Sequence, residues 1–181
     1  MIHPASMEFF LEPALLNDVP TMDRLEQEAF STPWSQELLR GAILNREYVV
    51  RVLRHPVHGL VGFYISHGVE ERCNLDNLVV HPSFRNQGHG SALIQDWAQT
   101  ALTRGLSRLT LQVNTANLEA QRLYARLGFH KKRLLVSYYP NGEDAFLMVR
   151  ETQLGAPDET GMPKKDATRT KPPSSRRQRR K

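Results

Sequence analysis

Residues 74–90 read NLDNLVVHPSFRNQGHG, and the fold of the chain turns on them. The segment from Cys73 to His81 has the apolar, β-rich character of a buried strand. Pro82 and Ser83 turn the chain, and a loop carrying Gly88 and Gly90 follows. Beyond it Leu93, Ile94, Trp97, Ala98, Ala101 and Leu102 recur at the period of a half-buried helix. A strand, a glycine loop and a helix together aim free main-chain N–H groups and the positive end of a helix dipole at a phosphate. Glycine matters there because a side chain would hold the phosphate oxygens off the backbone. No Gly-Lys-Ser/Thr follows, which excludes a Walker loop, and 85–90 lacks the third glycine of a dinucleotide fingerprint. Taken alone, the glycine pair is equally compatible with an ordinary strand-to-helix connection.

Working outward from this stretch, residues 7–12 form a short strand candidate. Asn17 is placed to cap the next helix, with Asp18 and Pro20 in its first turn and Met22, Leu25 and Ala29 as its buried stripe. Residues 32–35 break that helix, and Ser35 can cap a second one through Leu38, Leu39, Ala42 and Ile43. The β-rich runs 48–54 and 60–66 are separated by 55–59 as in a hairpin; with 73–81 they make three antiparallel neighbours. Residues 109–113 predict a fifth strand, with Thr110, Gln112 and Asn114 sharing the face opposite its leucines. Asn117 then caps a helix with Ala120, Leu123, Tyr124 and Leu127 in its stripe, ended by Gly128. Runs 132–138 and 145–149 suit a closing hairpin across Pro140-Asn141-Gly142.

The chain of 181 residues is long enough for one domain with a substantial core, expected over 1–150. The net charge of +5 conceals a split: residues 160–181 hold nine Lys or Arg against one acid, so a tail of about +8 follows a body of about −3. Residues 151–181 lack hydrophobic periodicity and read as a disordered basic tail. That tail either only keeps the chain soluble or contacts RNA or a ribosomal surface without reading sequence, since no aromatic residue interleaves the charges. No apolar run approaches the roughly 20 residues needed to cross a bilayer, so no membrane partner is expected. The first ten residues lack the features of a secretion leader, and a cytoplasmic location is the expectation. Cys73 is the single cysteine and the seven histidines show no ligand spacing, so no metal is expected.

Arg-x-x-Gly-x-Gly after Leu78-Val79-Val80-His81-Pro82 resembles the acetyl-CoA signature of the GCN5-related N-acetyltransferase (GNAT) family. Residues 114–129, NTANLEAQRLYARLGF, resemble that family's second hallmark. Tyr138-Tyr139-Pro140, Glu143-Asp144-Ala145 and Met148 are similar to its branch that acetylates protein N-termini, in particular RimI-type enzymes acting on a ribosomal protein. Pro33-Trp34-Ser35 fits that branch as well. The resemblance spans roughly 7–150 and implies the GNAT fold, α/β (α+β) with a mixed, mostly antiparallel sheet of about six to seven strands and flanking helices.

The resemblance also implies roles. Acetyl-CoA would be the co-substrate. Its pyrophosphate would meet the main chain of Arg85, Asn86, Gln87, Gly88, His89, Gly90 and Ser91. Its pantetheine arm would lie along Leu78, Val79 and Val80, and Asn117 would contact it. Tyr124 matches the residue that protonates or hydrogen-bonds the departing sulfur, and Trp34, Tyr138 and Tyr139 would border the acceptor peptide. Gln112 departs from the pattern, standing where related enzymes place a Glu or His base; an amide binds water or substrate but takes no proton. Asp76, sharing a strand face with Asn74, is the replacement base, and Glu28 a weaker one.

A peptide α-amine is roughly one-tenth neutral at pH 7 and a lysine about one part in 2,500, so a missing base handicaps lysine far more. The implied function is therefore transfer of acetyl to a protein's N-terminal α-amine, with a ribosomal protein as the acceptor. Two other readings stay open: a GNAT enzyme acting on a small amine, and a weakly active module that binds CoA and RNA, which Gln112 favours.

Overall fold

The structure, a computed structural model, describes residues 9–151. Seven strands form one sheet in the order β1-β2-β3-β4-β5-β7-β6. They are β1 Phe10–Pro13, β2 Tyr48–His55, β3 Gly59–Val69, β4 Arg72–Val80, β5 Arg108–Asn114, β6 His130–Leu135 and β7 Ala145–Glu151. Four helices flank the sheet: α1 Val19–Ala29, α2 Gln36–Leu44, α3 His89–Thr103 and α4 Leu118–Arg126. Every pairing is antiparallel except β4 with β5. The expected mixed, mostly antiparallel architecture is the one observed.

Alternation along the strands sorts the core onto two faces. On one, Leu93, Ile94, Trp97 and Ala101 of α3 and Tyr124 of α4 pack against Cys73, Leu75, Leu109 and Leu111. On the other, Met22 and Leu25 of α1 and Leu39 and Ala42 of α2 cover Val50, Val52, Phe63, Ile65 and Val79. The helix signals lie where the pattern put them. Ser35 accepts from Leu38 N–H at 3.3 Å, Asn117 accepts from Ala120 N–H at 3.0 Å, and Gly128 ends α4 at φ +87°.

Three expectations need correction. The cap of α1 is Asp18 rather than Asn17, because a short 3-10 turn over Leu16–Asp18 precedes the helix. The Asp18 carboxylate accepts from Leu15 N–H at 2.8 Å and pairs with Arg54 at 2.9 Å, so it ties the turn to β2. β1 begins at Phe10 and runs to Pro13, and residues 7 and 8 lie outside the described residues. β6 runs from His130 to Leu135 rather than over 132–138, so Tyr138 belongs to the loop with Tyr139 where a strand was expected. That loop is shaped by its own polar groups: Ser137 N–H donates to Asp144 Oδ1 at 2.7 Å and Tyr139 N–H to Glu143 O at 3.0 Å. Of the basic tail expected over 151–181, Glu151 ends β7 and the rest lies outside the described residues. No helix among those described is long and apolar enough to cross a membrane.

Candidate active site

β4 and β5 are partnered only from Arg72↔Arg108 to Leu75↔Leu111. Beyond that point β5 continues along β7 and β4 along β3, and the two strands part. The cause is local. Across β3 and β4, Ile65 faces Asn77 and Ser66 faces Leu75, leaving Asp76 as an extra residue, a β-bulge. A bulge bends and twists its strand, and here it carries β4 away from β5 at the point where their ladder stops. It also resets the alternation: Leu75 packs toward α3, whereas Val79, four residues on, packs toward α1 and α2.

Between the diverging strands lie two adjoining cavities of about 790 Å³ each, sharing Ala29, Phe30, Leu78, Asn117, Ala120 and Leu123 as walls. The second holds the glycine loop. His81 N–H donates to Val61 O across to β3 at 2.8 Å, so alternation turns the main-chain groups of Val80 and Leu78 to the open edge. Arg85 Nε already reaches Val80 O there, at 3.0 Å. Val79 lines the cavity, although by the same alternation its main chain is directed to β3.

Gly88, at φ +88°, caps α3, and the first intrahelical bond runs from Ala92 N–H to Gly88 O. The N–H groups of His89, Gly90 and Ser91 therefore have no acceptor within the helix. A Cβ on Gly90 would sit 3.1 Å from Leu123 Cδ2, so glycine sets the approach of α3 to α4. Arg122 and Arg126, one turn apart on α4, line the same cavity. Main-chain donors beside three guanidinium groups suit a polyanionic ligand such as a pyrophosphate. The Arg pair was missed in the sequence, although the i, i+4 spacing was visible there.

Two of the expected ligand-loop residues have side chains employed elsewhere. Gln87 Nε2 donates to Ser83 O at 3.0 Å. The His89 ring lies 3.9 Å from that of Phe9 and near Phe84, and burial, aided by the field of His55, lowers its pKa. Neither residue is among those lining this cavity.

The first cavity gathers Trp34, Asn74, Asp76, Gln112, Tyr124, Tyr138 and Tyr139, residues from five separate segments of the chain. Tyr124 sits beside the shared wall, and burial, with a smaller contribution from Tyr139, pushes its pKa up to about 12. Tyr138 is also raised, by burial first and then by the Asp76 charge. Gln112 Nε2 and Thr110 Oγ1 both donate to Asn74 Oδ1, at 3.3 and 2.9 Å. Asn74 Nδ2 in turn donates to Asp76 Oδ1 at 2.8 Å.

Glu28 is exposed and lines neither cavity, which removes it as a base. Two residues earlier, Glu26 is fully buried in the wall of the first cavity. Its carboxylate accepts from Trp34 N–H at 3.0 Å and from Asn77 Nδ2, and burial raises its pKa. Glu26 falls among Met22, Leu25 and Ala29 on the stripe expected to be buried, and a carboxylate in that position was the available signal.

Residues 19–129 match the model of the acetyltransferase (GNAT) family. The chain is a GNAT acetyltransferase. Enzymes of this family take their acetyl group from acetyl-CoA, and the two-cavity slot has the donors such a ligand needs. Ribosomal protein bS18-alanine N-acetyltransferase of Salmonella typhimurium is 31% identical over 135 residues, covering 73% of this chain and 90% of that protein. The crystal structure of the ribosomal-protein-S18-alanine N-acetyltransferase from Escherichia coli superposes with a TM-score of 0.74 at 27% identity, covering 83% of this chain and 98% of that one. Arabidopsis thaliana NAA60 with a bisubstrate analogue shares the fold, with a TM-score of 0.75 at 20% identity over 82% of this chain and all of that one.

Proposed function

We propose that this acetyltransferase modifies the N-terminal α-amino group of a protein, and that the acceptor is a ribosomal protein, as in its bS18-alanine N-acetyltransferase relatives. The observation that carries the reading is the acceptor cavity itself. It is bordered by Trp34 on one side and the Tyr138–Tyr139 loop on the other, and it meets the cofactor cavity beside Tyr124.

When bound, acetyl-CoA supplies an activated acetyl group as a thioester. The open edge of β4 at Leu78 and Val80 pairs with the pantetheine arm, Asn117 contacts it, and the loop from Arg85 to Ser91 with Arg122 and Arg126 holds the phosphates. Tyr124 donates a hydrogen bond to the sulfur. Full proton transfer from a phenol near 12 to a thiolate whose thiol titrates near 8.5 is uphill by about 5 kcal/mol, so hydrogen bonding is the larger part of its role. Gln112 and Asn74 orient the amine, and Asp76 is the proton acceptor nearest to them. Because an α-amine is about one-tenth neutral at pH 7, such a site suits it better than lysine.

The basic segment beyond 151 supplies a sequence-blind contact with ribosomal RNA, and such an acceptor places the enzyme in the cytoplasm. Removal of 155–181 followed by ribosome co-sedimentation tests the contact, which predicts loss of the sedimenting fraction. The acceptor is tested by initial rates on a peptide with a free N-terminal alanine against the same peptide N-blocked and carrying one lysine. Faster reaction at the free α-amine is expected, and faster lysine acetylation reverses the assignment.

A further inference from the structure

We infer that Glu26 is a positioning residue for the acceptor, its buried carboxylate fastening the Trp34 wall of the acceptor cavity to β4. The inference deepens the acceptor reading above and rests on it. Glu26 lies in the last turn of α1 and holds the loop that follows at both ends. Its main-chain oxygen accepts from Phe30 N–H at 3.0 Å, where Phe30 leaves the helix with extended backbone. Its side chain accepts from Trp34 N–H at 3.0 Å, at the far end of the loop. The other carboxylate oxygen accepts from Asn77 Nδ2, on the residue of β4 that follows the bulge. Phe30 and Trp34 on one side of this contact, and Asn77 on the other, all line the acceptor cavity.

Packing alone gives no reason for a carboxylate here. Glu26 is fully buried beside Met22 and Leu25 of α1, and no Lys or Arg pairs with it among the described residues. Taking a carboxylate out of water without a cation is costly, so an apolar side chain would fill the same space more cheaply. What the carboxylate adds is two acceptor oxygens, and each is filled by an N–H from a different segment of the chain. Among the described residues, the main chain of 30–34 makes no hydrogen bond except these two to Glu26. The Trp34 ring is only half-buried at the edge of the α1–α2 core, so packing alone holds it loosely.

The opposite wall is fixed differently. The Tyr138–Tyr139 loop is tied by its own turn contacts to Glu143 and Asp144, independently of α1. The spacing between the two walls is therefore set on one side by Glu26. Loss of its carboxylate frees Trp34 but leaves Phe30, the residue shared with the cofactor cavity, on its main-chain bond. The damage should fall on acceptor binding and spare acetyl-CoA.

The test compares full-length wild type with Glu26→Met, which keeps the length of the side chain and removes both acceptors. The KM for the α-amine peptide should rise on the order of tenfold, with kcat within about threefold. Acetyl-CoA affinity by calorimetry should not change. Glu26→Gln should recover most of the loss: its Oε1 still accepts from Trp34 N–H, and its Nε2 donates to Asn77 Oδ1 once that amide turns over. An unchanged KM, an equal rise in the two variants, or a parallel loss of acetyl-CoA affinity overturns the role. Asn77→Ala leaves α1 intact and removes one of the two contacts, so it carries the same test even where Glu26→Met does not fold. A rise in acceptor KM of about threefold is expected there, and no rise overturns the role.

Independently, acrylamide quenching of tryptophan fluorescence reads the wall in the ligand-free protein. Trp97 is fully buried, so of the two tryptophans Trp34 is the one within reach of the quencher. Quenching should increase in Glu26→Met and return toward the wild-type value in Glu26→Gln; equal quenching in all three overturns the fastening. The N-terminal reading fails separately, by the wild type ignoring the free α-amine, a result that leaves the quenching comparison standing.

Discussion

The two cavities of this enzyme are lined in different ways. The proposed cofactor side offers main-chain groups, at the open strand edge of Leu78 and Val80 and at the start of α3, beside the three guanidinium groups of Arg85, Arg122 and Arg126. The proposed acceptor side presents side chains from separate segments, among them the hydrogen-bonded Gln112, Asn74 and Asp76, with Glu26 and three tyrosines in the same wall. Main-chain recognition constrains backbone geometry and leaves most side chains free. Side-chain recognition tolerates backbone variation and depends on each group present. Substitutions should therefore separate the halves, in cofactor affinity on one and in rate, pH profile and acceptor choice on the other.

The largest separation is expected at Tyr124, on the boundary. Tyr124→Phe should lower kcat by on the order of 100-fold with the KM for acetyl-CoA within about twofold. A matching rise in KM would place Tyr124 on the cofactor side instead. With its pKa pushed up to about 12, the phenol keeps its proton through pH 10, so wild-type kcat should hold level to that pH. A fall centred on 10 contradicts the buried environment. Next comes Gly88→Val, which forces a branched side chain to φ +88°. Strain of about 1–3 kcal/mol should weaken acetyl-CoA binding by roughly 10- to 100-fold in calorimetry. Saturating acetyl-CoA should then restore kcat; if it does not, the halves are not independent.

A smaller effect is expected at Gln112. Gln112→Glu should raise the ratio of lysine to α-amine acetylation at pH 7 by on the order of tenfold, because a restored base helps the amine that is seldom neutral. An unchanged ratio means that acceptor choice lies elsewhere in the cavity. The smallest effect is on stability. Burial raises the Glu26 pKa, so the folded chain holds that proton more tightly than the unfolded one. As pH rises through and above the ordinary glutamate range the unfolded state ionises first, and stability is lost. The Tm of wild type minus that of Glu26→Gln should accordingly fall with rising pH, at about 2–4 °C per kcal/mol. A difference that rises with pH would mean that the Trp34 and Asn77 bonds outweigh burial.

The same division explains what could be read from the sequence. The glycine loop, the helix caps at Ser35 and Asn117 and the buried stripes are local signals, and each is where the pattern placed it. Arg122 and Arg126 were missed, although their i, i+4 spacing was open to view. The acceptor side was harder because its contacts join distant residues, with His67 and Asp76 on neighbouring strands and Glu26 with Asn77 separated by 51 positions. Glu28 was the glutamate singled out, whereas packing leaves it on a solvent face and buries Glu26. The strand expected over 132–138 took in Tyr138, whereas the turn chemistry of Asn141, Glu143 and Asp144 governs that segment.

The single surplus residue at position 76 has a consequence for how the family trait can be lost. Remove one codon there and the pleats of β4 fall back into step, so that the two central strands can zip together along their whole length and fill the cleft with their own ladder. What holds the sheet ajar is the surplus position itself, whatever amino acid fills the slot.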